Sequence, residues 1–175
     1  MHDFLTLLLR MFDYQRLHSK VQSENSQPWT WPLLLHPIQY FALTKGTSTS
    51  KIVALGNPVL WLGFLALLPL GLVQFARRRT WQDAMVLGGF AAMFGPWLLV
   101  PRTQFIFYMT PVVPFMCLCI THWLRSLPER ASEAAALGLA AAVIVVAAAF
   151  MPAWTGWWFP LRWSEALRWL PTWPV

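Results

Sequence analysis

AAALGLAAAVIVVAAAFMPA, residues 134–153, runs for twenty residues without a charged side chain. At about 1.5 Å per residue a helix of that length matches the hydrocarbon core of a bilayer, about 30 Å thick. Working outward, three more apolar blocks of comparable length stand at 58–76, 84–100 and 105–124. The composition agrees: 57% of residues are hydrophobic and 11% charged, so the chain reads as an integral membrane protein. The expected fold is all-α, with four transmembrane helices as a central domain over residues 58–153. The second block is the shortest and carries Gly88, Gly89, Gly95 and Pro96, so it is expected to kink. In the last block Ala134, Gly138 and Ala142 recur at four-residue steps, a smooth face suited to close helix contact. None of the blocks reads as a cleaved signal peptide, because the first begins at residue 58 and the apolar run 4–9 is too short.

Orientation follows from the arginines. Arg77, Arg78 and Arg79 crowd the link between the first two blocks, and Arg125 and Arg130 stand in the link between the last two, whereas the middle link holds Arg102 alone. Basic links face the cytoplasm. Both termini are then extracytoplasmic, which puts residues 1–57 and the Trp-rich tail 154–175 on one side of the membrane.

The segment before the first block has two parts. In residues 3–17 apolar Phe4, Leu8, Met11 and Leu17 are interspersed with Arg10, Asp13 and Arg16 at roughly helical intervals, which predicts an amphipathic helix lying in the interface. After a polar turn comes PWTWPLLLHP (28–37), a collar of two tryptophans and three prolines. Indole rings settle at headgroup level and prolines stiffen the backbone, so the collar reads as an anchor at the membrane surface. GTSTS (46–50) is expected to be an exposed loop, and Gly56-Asn57-Pro58 the stop before the first span.

Several chemistries find no support. A net charge of +6 is accounted for by cytoplasmic links and headgroup contacts, with no basic stripe that would call for nucleic acid. Cys117 and Cys119 point about 200° apart on a helix, and His2, His18, His36 and His122 lack ligand spacing, so no metal site is expected. No phosphate-binding loop, dinucleotide fingerprint or nucleophile elbow occurs. Of the seven carboxylates, Asp83, Glu129 and Glu133 fall on the cytoplasmic side. Asp3, Asp13, Glu24 and Glu165 fall outside, isolated. Each reads as a solvated surface charge, and no buried charged pair is expected within the spans.

SQPWTWPLLLHPIQY (26–40), LGNPVLW (55–61) and RTQFIFYMTPVVPF (102–115), with MFDYQRL (11–17) ahead of them, resemble in order and spacing the C-terminal four-span region of the protein O-mannosyltransferases. The resemblance extends to about His122; beyond it only general character is shared. It implies a membrane glycosyltransferase of the GT-C type, moving mannose from a polyprenyl or dolichyl phosphate carrier to Ser or Thr hydroxyls of an acceptor protein. The acidic pair that acts as general base in that family sits in an N-terminal part outside this sequence. By the resemblance, then, the sequence contributes no catalytic residue and is inactive by itself. Its partners would be membrane lipid, the lipid-linked sugar donor, the acceptor protein and the N-terminal catalytic half, with no cofactor of its own. A bacterial plasma membrane is the expected location.

Arg102 is the candidate contact to the carrier phosphate, since a guanidinium reaches two oxygens at once; the competing reading is an arginine satisfied by lipid headgroups. Gln104 and Tyr108 follow it within two helical turns and join the candidate set. Trp29 and Trp31 would either shape a groove for the lipid chain or acceptor, or simply anchor. His36 stands where the family usually has arginine and is by that resemblance the fourth candidate contact to the carrier phosphate, and Gln22-Ser23-Glu24 stand where the family has a His-Pro-Tyr-like lead-in. A histidine there carries charge only partly at neutral pH. Two readings from other classes stay open: a non-catalytic membrane subunit or scaffold docking on a separate catalytic half, and an unrelated four-helix membrane protein.

Overall fold

The computed structural model describes residues 26–100 and 104–175, together with Thr6, Leu7 and Arg10. The expected interfacial helix over 3–17 falls largely outside the described residues. Helix α1 (Pro58–Arg78) starts where the side chain of Asn57 accepts from the backbone N–H of Val59 and Leu60, with Pro58 in the first turn. It ends on Arg79, in the left-handed region at φ 50°. Thr80 caps α2 (Trp81–Phe94), which gives way to a 3-10 turn, Gly95–Leu99, where Gly95 and Pro96 stand. A second 3-10 segment, Ile106–Val112, leads into α3 (Val113–Leu124). Helix α4 (Glu129–Thr155) is the longest, at 27 residues, and a short α5 (Leu161–Leu167) precedes the tail.

Three helical stretches among the described residues are long and apolar enough to cross a membrane: Pro58–Arg78, Ile106–Leu124 and Glu129–Thr155. The expected span at 84–100 does not form one continuous α-helix of that length. Its α-helix stops at Phe94 after 14 residues, at the glycine and proline that predicted a kink.

The all-α expectation needs a correction. Strands β1 (Ile38–Lys45) and β2 (Ser48–Ala54) form an antiparallel hairpin, and β3 (Trp158–Pro160) adds to β2, giving the order β1-β2-β3. Lys45 pairs with Ser48, so Gly46-Thr47 is a two-residue turn and Gly46 takes φ +57°. The GTSTS segment is therefore the turn plus the start of a strand, and Thr49 and Ser50 are buried.

Glycines seat aromatic rings between the helices. A Cβ on Gly71 of α1 would lie 2.0 Å from the Trp123 ring of α3, and one on Gly89 of α2 2.3 Å from Phe115. Trp123 also stacks on Phe64 at 5.7 Å, and Phe64 meets Phe90 at 4.7 Å, so α1, α2 and α3 share one aromatic core. The small-residue face read into α4 is not its contact face. Nothing lies within 4 Å of a Cβ on Gly138, while Ala135, Leu139, Val146 and Ala149 pack against the core.

The end of the C-terminal tail is docked on the collar and hairpin, while Trp157, Trp158, Trp163 and Trp169 stay exposed. Trp173 is 3% exposed, and its indole N–H donates to the Leu34 carbonyl at 2.7 Å. Lys51 of β2 reaches into the same seam, donating to Ser164 Oγ at 2.9 Å and to the Pro174 carbonyl at 3.1 Å. Burial, and to a lesser degree the nearby Arg168 charge, hold its ammonium below the ordinary lysine pKa.

Candidate functional site

The three motifs that carried the resemblance meet at one end of the bundle, around the 3-10 segment Ile106–Val112. Trp31 is wholly buried, its ring packed edge-on against Phe94, Trp97 and Tyr108 at 6.1 to 6.5 Å. Trp97 and Tyr108 stack face to face, 4.5 Å apart and within 6° of parallel. The Trp31 indole N–H donates to Ser26 Oγ at 2.8 Å, and the Ser26 N–H donates to the Gln104 carbonyl at 3.0 Å. Buried Gln104 in turn donates from Nε2 to the carbonyls of Trp97, at 3.0 Å, and Val100. This chain of bonds clamps both sides of residues 101–103.

Arg102 belongs to that segment and lies outside the described residues. Its two neighbours in the candidate set are brought together with the collar: Gln104 is tied to Trp97 and Val100, and Tyr108 packs between Trp31 and Phe107. The two collar tryptophans part company, Trp31 at 0% exposed and Trp29 at 63%. His36 is exposed on the turn leading into β1. Trp97, the platform under Tyr108, was missed in the sequence because it falls inside an apolar block where one more aromatic carries no signal.

Beside this clamp runs an apolar groove of about 390 Å³, lined by Leu55, Gly56, Trp61, Ile106, Phe107 and Met109 among others. It joins the second motif to the third. Trp61 is 5% exposed, and its indole N–H has no hydrogen-bond partner among the described residues. Thr110 also lines the groove, its hydroxyl donating to the Phe107 carbonyl at 2.7 Å. Apolar walls with few polar groups suit a hydrocarbon chain. Among the described residues no three His, Cys, Asp or Glu side chains gather as metal ligands.

Residues 1–173 match the family described as the C-terminal four TMM region of protein-O-mannosyltransferase. The chain belongs to this protein O-mannosyltransferase family. Its relatives include the polyprenol-phosphate-mannose–protein mannosyltransferases of Mycolicibacterium smegmatis, 28% identical over 168 residues, and of Mycobacterium tuberculosis, 31% identical over 168 residues. Each alignment covers 85% of this chain and 32% of the relative, so the chain spans about a third of their length. The dolichyl-phosphate-mannose–protein mannosyltransferase 1 of Saccharomyces cerevisiae is 28% identical over 115 residues, covering 55% of this chain and 14% of that protein. The fold is that of the S. cerevisiae protein O-mannosyltransferase Pmt1-Pmt2 complex bound to the sugar donor. That match has a TM-score of 0.84 at 21% identity, over 98% of this chain and 26% of the other. Within the protein O-mannosyltransferase frame, the Trp31–Gln104 clamp and the Trp61 groove hold the collar and the two later motifs in one place.

Proposed function

We propose that this chain is the C-terminal membrane part of an enzyme that transfers mannose from a polyprenyl-phosphate carrier to Ser or Thr hydroxyls of proteins. The observation that carries this reading is the family match over nearly the whole chain, to relatives three times its length. The part described here supplies no general base: its role is to build the wall against which a catalytic N-terminal part works. The apolar groove beside Trp61 suits the first isoprene units of the carrier, and the guanidinium of Arg102 suits its phosphate. Trp29, exposed on the collar, lines a groove for the lipid chain or the acceptor, and His36 is a further contact to the carrier phosphate. The kinked stretch over 81–99 completes a fourth passage through the bilayer, and the arginine-rich links lie in the cytoplasm, so the hairpin end is extracytoplasmic. The membrane is a bacterial plasma membrane.

The test pairs this chain with the N-terminal two-thirds of a relative such as the M. smegmatis enzyme. Mannose transfer from polyprenol-phosphate mannose to an acceptor peptide should need both parts. Arg102→Ala should lower it roughly ten- to a hundredfold, the worth of one charge-assisted contact, and Arg102→Lys should restore it only in part. Transfer by this chain alone, or wild-type rates from Arg102→Ala, would overturn the assignment.

A further inference from the structure

At the end of the bundle opposite the hairpin, a notch of about 290 Å³ opens between the C-terminus of α1, the N-terminus of α2 and the C-terminus of α3. Its floor is Asp83, a carboxylate 1% exposed. Thr80 donates its hydroxyl to Asp83 Oδ2 at 2.5 Å, and His122 Nε2 meets Oδ1 at 2.6 Å. An ionised carboxylate can only accept, so His122 carries a proton on Nε2. The imidazole is 29% exposed and has Nδ1 left over. Arg78 and Arg125 line the same notch, both exposed, and neither has a carboxylate partner among the described residues. The adjoining groove on the α4 side holds Glu133, which forms no ion pair with Arg125. Two guanidiniums facing one carboxylate leave the notch positive even with His122 neutral.

The notch also stands at a defined depth. Trp81, the first residue of α2, is 68% exposed, and exposed indoles seek the headgroup layer. Leu72 on α1 and Met85 on α2, 51% and 60% exposed, continue the apolar surface from there. A positive notch one residue from an interfacial tryptophan therefore opens where lipid phosphates lie. We propose that this notch binds a phosphate anion through Arg78 and Arg125, with His122 adding an Nδ1–H donor when its ring carries both protons, and that the phosphate is carried by the headgroup of an anionic phospholipid. Asp83 acts as a positioning residue, holding the imidazole toward the anion while Thr80 shares its charge. This site is remote from the carrier site proposed above and does not rest on it.

Native mass spectrometry of the full chain released from mixed vesicles of phosphatidylglycerol and phosphatidylcholine tests the proposal. Phosphatidylglycerol should be retained over phosphatidylcholine at about one per chain, and Arg78→Ala/Arg125→Ala should cut its affinity at least about tenfold. The charge-matched variant Arg77→Ala/Arg79→Ala, outside the notch, should retain it as the wild type does. Equal loss in both double variants would mean diffuse attraction to a basic surface and would overturn the site, as would equal retention of the two lipids. Millimolar inorganic phosphate separates the sources. Failure to displace the lipid upholds the headgroup, whereas phosphate binding that needs Arg78 and Arg125 but shows no preference for phosphatidylglycerol overturns the lipid assignment.

Discussion

Two of the apolar helical stretches differ in a way their hydropathy inverts. Ile106–Leu124 has a mean hydropathy of 1.4 over its most apolar window and 39% of that window buried, whereas Glu129–Thr155 has a mean of 2.5 and 6% buried. In water the more apolar helix would be the core. In lipid no such force operates between helices, so the most uniformly apolar segment can face the hydrocarbon, and the centre goes to the one with shape and polar anchors. Ile106–Leu124 has both. Trp123 fits the gap at Gly71, Met116 and Cys119 are fully buried, and the Cys119 thiol reaches the Val86 carbonyl at 3.5 Å. The small residues Ala134 and Gly138 of α4, by contrast, stand exposed, and a Cβ on Gly138 would meet nothing within 4 Å.

The comparison breaks if Trp123 is dispensable. Trp123→Ala should remove the ring shared by Gly71 and Phe64 and cost about 3–5 kcal/mol, read as a loss of thermal stability by circular dichroism in detergent. A smaller effect is expected at the hairpin end. The folded pKa of Lys51 is lowered from 10.5, so between that lowered value and 10.5 the unfolded chain binds more protons than the folded one. Stability should therefore rise with pH across that window in the wild type and lose that slope in Lys51→Met. A wild-type slope of zero would mean the tail does not bury the ammonium. The smallest effect should come from α4, where Leu137 is 72% exposed: Leu137→Ala should stay within about 0.5 kcal/mol. A larger loss would show that α4 is packed against something in solution and would sharpen the contrast in the other direction.

A residue run alone marked α1, Pro58–Arg78 against the block at 58–76, while α4, Glu129–Thr155, starts five residues before the block at 134–153. The hairpin was not legible in this way. IQYFALTK alternates poorly, since its side chains from Gln39 to Lys45 are exposed or half-exposed on both faces, and its strand character comes from pairing with β2. The two-residue turn at Gly46 was the available signal. The collar was recognised as rigid, but Trp31 settles in protein instead of lipid because Phe94, Trp97 and Tyr108, far along the chain, close around it. Asp83 was misread for the same reason. The Thr80-x-x-Asp83 spacing marks a capped first turn, yet the partner that permits its burial, His122, lies 39 residues away.

The bond from Trp173 to Leu34 spans 139 residues of sequence. A ribosome adding about 5–20 residues per second needs on the order of ten seconds to travel that distance. For that interval the Leu34 carbonyl and the hairpin strand that will receive β3 wait uncovered while three long apolar helices are synthesised. Completion of this end of the molecule is thus a late event in biogenesis, timed by the length of the chain between the two halves of one small seam.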